Sequence, residues 1–359
     1  MEFNKIIIGA MRVNDAESAV QVIRKAIDSG FNYIDTAPLY RLSSEEENSE
    51  AWVGQAINYS NYRGKVMLST KSATSDGRMQ LGDFQQQRGM GVRTAEQFSL
   101  VFNQSLRRMN VSAVDYYHLW ICHTKEQFNE AFKSGGWYEG FLNEKKEGKV
   151  NHLGLTSHAD AETIIEFLES GCFETVTIPL NVLNRARIKV VEYCAKKNTR
   201  VIAMNPLGGG FLAADERLKQ LAYKYLLSLQ NVHLLVGFTT VEDVEYAVRI
   251  KEEFDACPST TEAIVNEADK MIPSTEPRCT GCGYCQPCPG LIDIGACLSY
   301  YNLYKYLGLE SAKTAFQRLQ WNVRYNLNNC TSCGLCEQKC PNTLPVRDII
   351  NDAVSIMFK

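Results

Sequence analysis

Short apolar segments alternate with amphipathic segments along the first 250 or so residues of the chain. The apolar segments predict β-strands at 5–8, 31–35, 66–70, 115–119, 152–156, 175–178, 200–204 and 233–236. The segments between them have apolar residues at helical spacing and predict helices at 16–29, 49–58, 95–109, 127–147, 161–170, 187–197, 216–229 and 241–254. Eight strands that are each followed by a helix predict a (β/α)8 TIM barrel. A doubly wound sheet is the alternative, but that fold rarely needs eight repeats.

The chain is longer than one barrel requires, since it has 359 residues and a barrel takes about 250. We expect three parts, which are a barrel at 1–255, a linker at 256–277 and a small α-rich domain at 278–359. A short helix is expected within the linker at 261–271. Aromatic residues and leucines are frequent at 298–325, which predicts a helical insert in the small domain.

Two polar connections follow predicted strands, at 41–50 and 72–94. Barrel enzymes form their sites at this end of the strands. A loop longer than about 15 residues in a compact domain is functional or mobile in most cases. The connection at 72–94 is therefore either a contact for substrate or for the small domain, or a mobile surface insertion.

Composition and charge exclude several classes of protein. The first thirteen residues lack the basic start and long apolar stretch of a signal peptide, and no run approaches the ~18 apolar residues of a membrane span. The net charge of −3 argues neither for nor against nucleic acid, but no basic stripe is present, so we expect no nucleic-acid partner. Thirteen cysteines in a chain of this size indicate a reducing cytoplasm rather than a secreted disulfide scaffold.

Eight of the thirteen cysteines lie in two runs, CTGCGYCQPCP at 279–289 and CTSCGLCEQKCP at 330–341. This spacing resembles that of two-cluster bacterial ferredoxins, although the first run has two residues, not three, before its last cysteine. Three thiolates of one run can reach three corners of a cubane, and in those ferredoxins the other run supplies the fourth ligand. The resemblance implies two [4Fe–4S] clusters, one held by Cys279, Cys282, Cys285 and Cys340, and one held by Cys330, Cys333, Cys336 and Cys288.

Zinc and disulfides are the alternatives for these cysteines. A zinc site takes two CxxC pairs and has no third cysteine at the same interval, and disulfides suit small secreted scaffolds. The other cysteines lack motif spacing and are expected to be buried apolar residues, with Cys297 as a possible substitute ligand. From Pro273 onward the chain has eight Lys and Arg and six Asp and Glu, so this part is mildly basic. It differs from the strongly acidic surface of a free-standing ferredoxin, which favours electron exchange within one chain or assembly.

Seven segments of the predicted barrel resemble, in order, the aldo–keto reductase family. They are FNYIDTAPLY (31–40), NSEAWVGQAI (48–57), KVMLSTK (65–71), SLRRMNVSAVDYYHLW (105–120), GLTSH (154–158), NPLGGG (205–210) and VGFTTVEDVEYA (236–247). Together with the cysteine runs, they resemble the subgroup that carries a fused ferredoxin-like domain with two [4Fe–4S] clusters. The resemblance implies an oxidoreductase that acts on a carbonyl, an alcohol or a related small molecule.

The resemblance also implies a catalytic group at three strand ends. Tyr40 is the expected acid, because a proton must reach the carbonyl oxygen during reduction. The ammonium group of Lys71 is expected to lower the pKa of Tyr40, and Asp35 is expected to hold Lys71 by a charge-assisted hydrogen bond. The family's histidine is absent, and Trp120 stands at its position.

Two interpretations of Trp120 stay open. It orients the substrate while Tyr40 acts alone, or a nearby histidine, His118 or His123, replaces the missing one. Trp120 can donate one indole N–H but cannot transfer a proton. For His118 we favour a buried position in the core with its hydrogen bonds satisfied.

The positions that hold nicotinamide in the family are recognisable but altered. Thr156 and Ser157 stand where the family binds the carboxamide, Thr177 stands where glutamine is frequent, and Met204 replaces the usual stacking tyrosine. The expected pyrophosphate loop consists of Asn205, Pro206, Leu207 and Gly208, with two further glycines after it.

The phosphate site expected after the eighth strand lacks the family's basic residues. Gly237, Thr239 and Asp243 stand there, and Asp243 would repel a 2′-phosphate. We therefore expect NAD(H) rather than NADP(H), or no nicotinamide at all.

Two functions are compatible with these features. The first is an iron–sulfur oxidoreductase whose clusters exchange electrons with a redox partner, such as a ferredoxin-like protein or a flavoprotein. The second is a catalytically degenerate barrel that senses a nucleotide or docks within a larger electron-transfer complex. The presence of Asp35, Tyr40 and Lys71 favours the first, and the sequence leaves the substrate open.

Overall fold

The computed structural model describes residues 2–41, 43–59, 61–75, 88–272, 278–340 and 342–358. The central part of the predicted connection at 72–94, the end of the predicted linker and Pro341 lie outside these residues. The described residues pack into two units. The first comprises Met1–Leu180, Arg185–Met204 and Leu226–Ser259, and the second comprises Asn181–Asn184, Asn205–Tyr225 and Thr260–Lys359.

Eight parallel strands form a closed barrel in which each strand pairs with the next and the last pairs with the first. The strands are β1 (Ile6–Gly9), β2 (Tyr33–Asp35), β3 (Met67–Ala73), β4 (Val114–Trp120), β5 (Val150–Thr156), β6 (Thr175–Pro179), β7 (Arg200–Met204) and β8 (Val232–Val236). Each overlaps a strand predicted from the sequence, and the barrel fold is confirmed.

Helices connect successive strands. They are α1 (Ala16–Asp28), α2 (Ser49–Ile57), α3 (Ala95–Met109), α4 (Lys125–Phe132), α5 (Trp137–Lys146), α6 (Ala161–Leu168), α7 (Ile188–Lys197), α8 (Glu216–Ser228) and α9 (Val241–Ala256). The single helix predicted at 127–147 is wrong, since α4 and α5 replace it. Gly135 has a φ of +69°, a left-handed conformation that interrupts a helix.

Aromatic side chains close the N-terminal end of the barrel. The ring of Phe3 lies 4.7 Å from that of Tyr33, 5.4 Å from that of Tyr116 and 5.1 Å from that of His233, measured between centroids. These rings are mostly buried and pack with Ile7 and other apolar residues. The polar side chains near the C-terminal ends of β2, β3 and β4 lie toward the other end of the barrel, where barrels of this type form their sites.

The second unit is mainly helical. After α10 (Thr261–Met271), its helices are α11 (Ile294–Leu307), α12 (Glu310–Leu319), α13 (Leu335–Gln338) and α14 (Val346–Met357). The insert predicted at 298–325 contains most of α11 and all of α12, and Gly308 with a φ of +64° separates these helices.

Apolar side chains of α11, α12 and α14 form the core of this unit. Tyr301 of α11 donates a hydrogen bond to Asp352 of α14, and Lys305 forms an ion pair with the same carboxylate at 2.9 Å. Among the described residues, no helix is long and apolar enough to cross a membrane.

Candidate functional site

Lys71 and Asp35 form a buried ion pair at the ends of β3 and β2. The Nζ of Lys71 lies 2.5 Å from the Oδ2 of Asp35, and the two side chains are 2% and 4% exposed. Ser69 donates a second hydrogen bond to Asp35, from its Oγ to Oδ1 at 3.2 Å. Burial acts to lower the pKa of Lys71, but Asp35 and Tyr40 outweigh it and raise that pKa above its ordinary value. Lys71 therefore remains an ammonium group throughout the physiological range.

Tyr40 lies beside this ammonium group, with the Nζ of Lys71 5.2 Å from the centroid of its ring. Lys71 acts to lower the pKa of Tyr40, as expected, but the net shift is upward. Burial raises the pKa of Tyr40, Lys71 offsets only part of that effect, and Asp35 adds to the increase. Tyr40 is thus a neutral phenol that can donate a proton, and Lys71 is placed to stabilise the phenolate that remains.

Trp120 completes the group of candidate catalytic residues. Its ring meets that of Tyr40 edge to face with 6.0 Å between centroids, and the Nζ of Lys71 lies 6.0 Å from the indole ring. Trp120 is the last residue of β4 and is partly exposed. The structure therefore brings together all four residues that the sequence analysis selected for catalysis, namely Asp35, Tyr40, Lys71 and Trp120.

His118 lies one layer deeper in the barrel and is fully buried. Its Nε2 is 3.2 Å from the hydroxyl of Tyr33, and its Nδ1 is 3.2 Å from the Oγ1 of Thr156. Gly154 leaves room for the ring, since a β-carbon there would lie 2.5 Å from the imidazole. Burial, with a smaller effect of Lys71, lowers the pKa of His118 to about 3. The ring is therefore neutral, as a core histidine is expected to be.

His123 is also neutral near pH 7. Burial lowers its pKa to about 4. Its Nδ1 accepts a hydrogen bond from the backbone N–H of His158 at 3.0 Å, and the two rings lie 5.3 Å apart. This hydrogen bond joins the loop after β4 to the loop after β5.

The sequence analysis missed Ser49, which holds the backbone of Tyr40. The N–H of Ser49 donates to the carbonyl oxygen of Tyr40 at 3.0 Å. Its hydroxyl contacts the Oγ1 of Thr36 at 2.7 Å and the carbonyl oxygen of Ala10 at 2.7 Å. Helix α2 begins at Ser49, with Asn48 as its N-cap. An Asn-Ser-Glu sequence at a helix start is the signal that could have found it.

The next residue, Glu50, anchors the same end of α2. It is fully buried and accepts hydrogen bonds from the Oγ1 of Thr70 and the Nε of Arg108, each at 2.6 Å. Thr70 directly precedes Lys71 in β3. The hydrogen bond between Thr70 and Glu50 therefore joins α2, which supports Tyr40, to β3, which carries Lys71.

The hydroxyl groups proposed for the nicotinamide carboxamide already have partners within the barrel. Thr156 contacts His118, and Thr177 lies 3.5 Å from the same imidazole. Ser157 donates to the carbonyl oxygen of Cys122 at 2.5 Å and accepts from the N–H of Ala159 at 3.1 Å. Most of the hydrogen-bonding capacity of Ser157 is therefore used.

Asp243 occupies the helix start where a phosphate was expected. Its Oδ2 accepts from the N–H of Thr239 at 3.0 Å, from the hydroxyl of Thr239 at 2.7 Å and from the N–H of Thr240 at 3.2 Å. Thr240 and Asp243 form a capping box at the start of α9. The carboxylate thus satisfies N–H groups that would otherwise be available to an anion.

Gly237, also proposed for this site, faces Arg12 in the loop after β1. A β-carbon on Gly237 would lie 2.6 Å from the Cγ of Arg12. Arg41, whose φ is +51°, donates to the carbonyl oxygens of Met11 and Arg12 and so holds this loop. Arg12 is an exposed cation at this position that the sequence analysis did not select.

The proposed pyrophosphate loop packs within the second unit. Met204 ends β7, and Asn205 has a φ of +59° with its carbonyl oxygen bonded to Asn181 at 3.0 Å. Pro206, Leu207 and Gly208 follow as part of the same segment. Gly209 lies against the backbone of Thr280, which directly follows Cys279. The loop is therefore attached to the first cysteine run.

The eight cysteines of the two runs line two cavities in the second unit. Cys279, Cys282, Cys285 and Cys340 line one cavity, and Cys288, Cys330, Cys333 and Cys336 line the other, where Cys285 also contributes. Each set of four thiols includes one from the other run, and thiolates are the ligands that cubane clusters require. The donor sets therefore fit two [4Fe–4S] clusters. Within the described ranges, no three His, Cys, Asp or Glu residues are arranged as ligands of a single metal ion.

Cys297, considered as a substitute ligand, is buried in the core of the same unit. Its Sγ lies 3.5 Å from the carbonyl oxygen of Arg324 and serves as a donor to it. It does not line either cavity.

Comparison with known proteins agrees with both halves of this arrangement. Residues 5–222 match the model of the aldo/keto reductase family, and residues 278–345 match that of the 4Fe-4S dicluster domain. An uncharacterised oxidoreductase of Schizosaccharomyces pombe is 27% identical over 278 residues, which is 69% of this chain and 82% of that protein. The NADH-specific methylglyoxal reductase of Escherichia coli is 28% identical over 205 residues, which is 55% of this chain and 59% of that enzyme.

Solved structures share the fold. An aldo-keto reductase from Bacillus halodurans in its holo form superposes with a TM-score of 0.59 at 19% identity, covering 74% of this chain and 92% of that one. An aldo/keto reductase from Klebsiella pneumoniae in complex with NADP and acetate gives 0.58 at 18% identity, covering 76% and 92%. With the family model matched over more than half of its length, this chain belongs to the aldo/keto reductase family and is an oxidoreductase with a C-terminal 4Fe-4S dicluster domain.

Proposed function

We propose that this protein reduces a carbonyl group, or oxidises the corresponding alcohol, of a small molecule at Tyr40, and that two [4Fe–4S] clusters exchange the electrons with a redox partner. The observation that carries the proposal is the buried contact between Lys71 and Asp35 at 2.5 Å, with Tyr40 and Trp120 beside it. A buried ammonium–carboxylate pair costs folding stability, because both ions lose their hydration. Such a pair therefore calls for a functional explanation. Pairs of this kind next to a titratable group are typical of catalytic sites.

In the direction of reduction, the hydroxyl of Tyr40 donates its proton to the oxygen of the substrate carbonyl. Lys71 stabilises the resulting phenolate by its charge, and Asp35 keeps the ammonium group in place. Trp120 forms a wall beside Tyr40 and can donate its indole N–H to the same oxygen. Nicotinamide, when bound, would supply hydride to the carbonyl carbon. Without nicotinamide, the two clusters would supply one electron each, and the carbonyl carbon would take a second proton from solvent.

For the dinucleotide, we propose NAD(H) rather than NADP(H), or direct reduction by the clusters without nicotinamide. The position of Asp243 supports this, because its carboxylate already accepts the N–H groups at the start of α9 and would repel a 2′-phosphate. The Escherichia coli relative is named as NADH-specific, whereas the Klebsiella pneumoniae structure holds NADP. The occupied hydroxyl of Ser157 supports the route without nicotinamide.

A degenerate barrel that only docks or senses a nucleotide remains the second candidate, since Trp120 replaces the family's histidine and Asp243 occupies the phosphate position. The retained group of Tyr40, Lys71 and Asp35 favours the enzyme. None of the thirteen cysteines forms a disulfide in the described part of the chain, which supports a reducing compartment such as the cytoplasm.

The substitution Tyr40→Phe in the anaerobically purified holoprotein separates the two candidates. For an enzyme, turnover of small aldehydes with reduced viologen or NADH falls while the iron content and the cluster spectra stay unchanged. Unchanged turnover in Tyr40→Phe would exclude Tyr40 as the acid. Calorimetric titration of the same preparation with NADH and with NADPH tests the dinucleotide, and equal or tighter binding of NADPH would contradict the proposed preference.

A further inference from the structure

Exposed apolar and cationic side chains are concentrated at the end of α12 and in the turn that follows it. Trp321 is 83% exposed and Val323 is 43% exposed. Arg318 is exposed, and the side chain of Arg324 is 65% exposed. We call these four residues the insert surface. A tryptophan so far exposed is unusual, and tryptophan and arginine are the residues most enriched at binding hot spots.

The insert surface is held in a fixed conformation. The N–H of Asn322 donates to the carbonyl oxygen of Leu319 at 2.9 Å, and the N–H of Tyr325 donates to that of Asn322 at 2.9 Å. Arg324 is bound twice to Asp293, by its carbonyl oxygen at 2.8 Å and by its guanidinium group at 3.0 Å. A rigid turn loses little conformational entropy when a partner binds, so its exposed side chains are preorganised.

The same turn is continuous with the segments that carry the ligands of the second cluster. Asp293, which binds Arg324, lies five residues after Cys288. Leu291 lies between these two residues, and its N–H donates to the carbonyl oxygen of Cys288 at 2.9 Å. Leu291 is itself 66% exposed. On the other side, the N–H of Cys330 donates to the carbonyl oxygen of Leu327 at 3.1 Å. The insert surface thus lies on the backbone that positions two of the four thiols of the second cavity.

Exposure also distinguishes the second set of thiols. Cys333, which lines the second cavity, is exposed, whereas all four thiols of the first set are partly buried. Although Cys336 of the same set is buried, the proposed second cluster is therefore open to solvent on the side of Cys333.

The charge of the insert indicates what kind of partner fits. Residues 298–325 contain four basic residues, Lys305, Lys313, Arg318 and Arg324, against one acidic residue, Glu310, so their formal charge is +3. The whole chain has a net charge of −3. Lys305 and Arg324 are paired with Asp352 and Asp293, which lie outside the insert, and this leaves Lys313 and Arg318 to attract an acidic partner.

We propose that the insert surface is the docking site of an acidic, one-electron carrier protein, which exchanges electrons with the cluster held by Cys288, Cys330, Cys333 and Cys336. The inference deepens the proposed function and rests on it, because the exchange requires clusters that carry electrons to or from the barrel. The carrier binds through Trp321, and Arg318 attracts its acidic surface.

Binding is measured with the cluster-loaded protein under anaerobic conditions. The probe is an acidic flavodoxin, and a basic c-type cytochrome serves as a one-electron carrier of opposite charge. Dissociation constants are determined by biolayer interferometry at about 20 mM and about 200 mM salt, since exposed charges are screened over that range. The variants are Trp321→Ala and Arg318→Glu. The matched controls are Leu100→Ala and Arg249→Glu, which change an exposed apolar residue and an exposed arginine on barrel helices.

Trp321→Ala is expected to weaken flavodoxin binding by about 30-fold at both salt concentrations, as for a hot-spot residue. Arg318→Glu is expected to weaken it mainly at low salt and to improve binding of the cytochrome. Both controls are expected to bind flavodoxin within about twofold of the original protein, as for exposed charges and single apolar residues away from an interface. Flavodoxin binding that is unchanged by Trp321→Ala would overturn the proposal.

Sedimentation velocity tests whether a second copy of the chain occupies the insert surface, and turnover with viologen separates failure of the docking site from failure of the proposed function. A dimer in sedimentation velocity that becomes a monomer with Trp321→Ala would assign the surface to a second copy of the chain and overturn the proposal. Turnover that persists with methyl viologen while Trp321→Ala leaves flavodoxin binding intact refutes the docking site but not the proposed function. Turnover that is absent even with viologen, while binding still depends on Trp321, refutes the proposed function and leaves the surface as a docking site only.

Discussion

A β-carbon on Gly209 would lie 2.5 Å from the carbonyl oxygen of Thr280. No real side chain fits at that distance, and the φ of +74° at Gly209 is itself unfavourable for any other residue. Thr280 stands between Cys279 and Cys282, two of the thiols that line the first cavity. The glycine-rich segment after β7 therefore supports the backbone of the first cysteine run.

We predict that Gly209→Ala damages the first cluster and spares the second. The added methyl group must displace the carbonyl oxygen of Thr280, which moves the ligand loop. The iron content is expected to fall from about eight toward about four per chain, because each cubane holds four irons. Gly308→Ala is the matched control, since Gly308 has a similar φ of +64° but no atom within 4 Å of the added carbon. Its backbone strain of about 1–2 kcal/mol should lower stability but leave both clusters in place.

Removal of the charge on Lys71 should destabilise the barrel as well as stop catalysis. Lys71→Met leaves the carboxylate of Asp35 buried without its cation, which costs about 3–5 kcal/mol of unfolding free energy. The double variant Lys71→Met, Asp35→Asn removes both charges and should regain most of that stability without regaining activity. Urea unfolding of the three proteins measures the difference. A double variant that is as unstable as the single one would mean that the pair does not interact in this way.

The pH dependence of carbonyl reduction tests the protonation state of Tyr40. Its pKa is raised by burial, so the phenol holds its proton below that pKa and reduction should be lost only as the pH rises through it. The rate of the chemical step is therefore expected to be level from about pH 6 to pH 9, since the ordinary pKa of tyrosine is about 10. A fall in rate near neutral pH that is absent in Tyr40→Phe would instead indicate the lowered pKa that the sequence suggested.

The barrel was predictable from sequence because the signal repeats eight times. Each apolar strand followed by an amphipathic helix adds evidence for the same fold, and every predicted strand overlaps an observed one. The single helix predicted at 127–147 follows apolar spacing that continues across the glycines at 135 and 136, whereas the structure divides it into α4 and α5. A left-handed glycine was the physical cause, and adjacent glycines are a recognised signal for it.

The sequence predicts which residues meet in the candidate site but not the net shift in the pKa of Tyr40. The three strand-end residues Asp35, Tyr40 and Lys71 were found because parallel strands bring such positions together. The sequence predicts that Lys71 lowers the pKa of Tyr40, but the net shift is upward because burial has the larger effect, and burial is not visible in a motif. The capping role of Asp243 was predictable in principle, since Thr240 three residues before it forms a capping-box pattern.

His118 should make the stability of the barrel sensitive to acid. Its pKa in the folded protein is about 3, below the ordinary value of about 6.5, because burial excludes the charged form. The unfolded chain therefore binds a proton that the folded chain does not between these pH values, and this contribution to stability is lost as the pH falls from about 6.5.

One imidazole of this kind changes the free energy of unfolding by about 1.4 kcal/mol per pH unit below pH 6. His118→Gln cannot take up this proton, so the slope of unfolding free energy against pH should decrease by that amount between pH 6 and pH 4. Urea unfolding at three pH values in that interval provides the measurement. An unchanged slope would show that the imidazole is charged, or reached by water, in the folded state.

The exchange of ligands between the two cysteine runs can be tested by single substitutions. Cys340 belongs to the second run but lines the first cavity, and Cys288 belongs to the first run but lines the second cavity. We therefore predict that Cys340→Ala removes the cluster bound mainly by Cys279, Cys282 and Cys285, and that Cys288→Ala removes the other.

The two variants should each retain about four irons per chain but differ in which cluster signal they lose by electron paramagnetic resonance. Cys297→Ala is the matched control, because that thiol is buried next to the carbonyl oxygen of Arg324 and lines neither cavity. It should keep about eight irons. If Cys340→Ala and Cys330→Ala lost the same cluster, each run would bind its own cluster, and the arrangement of thiols around the two cavities would have to be revised.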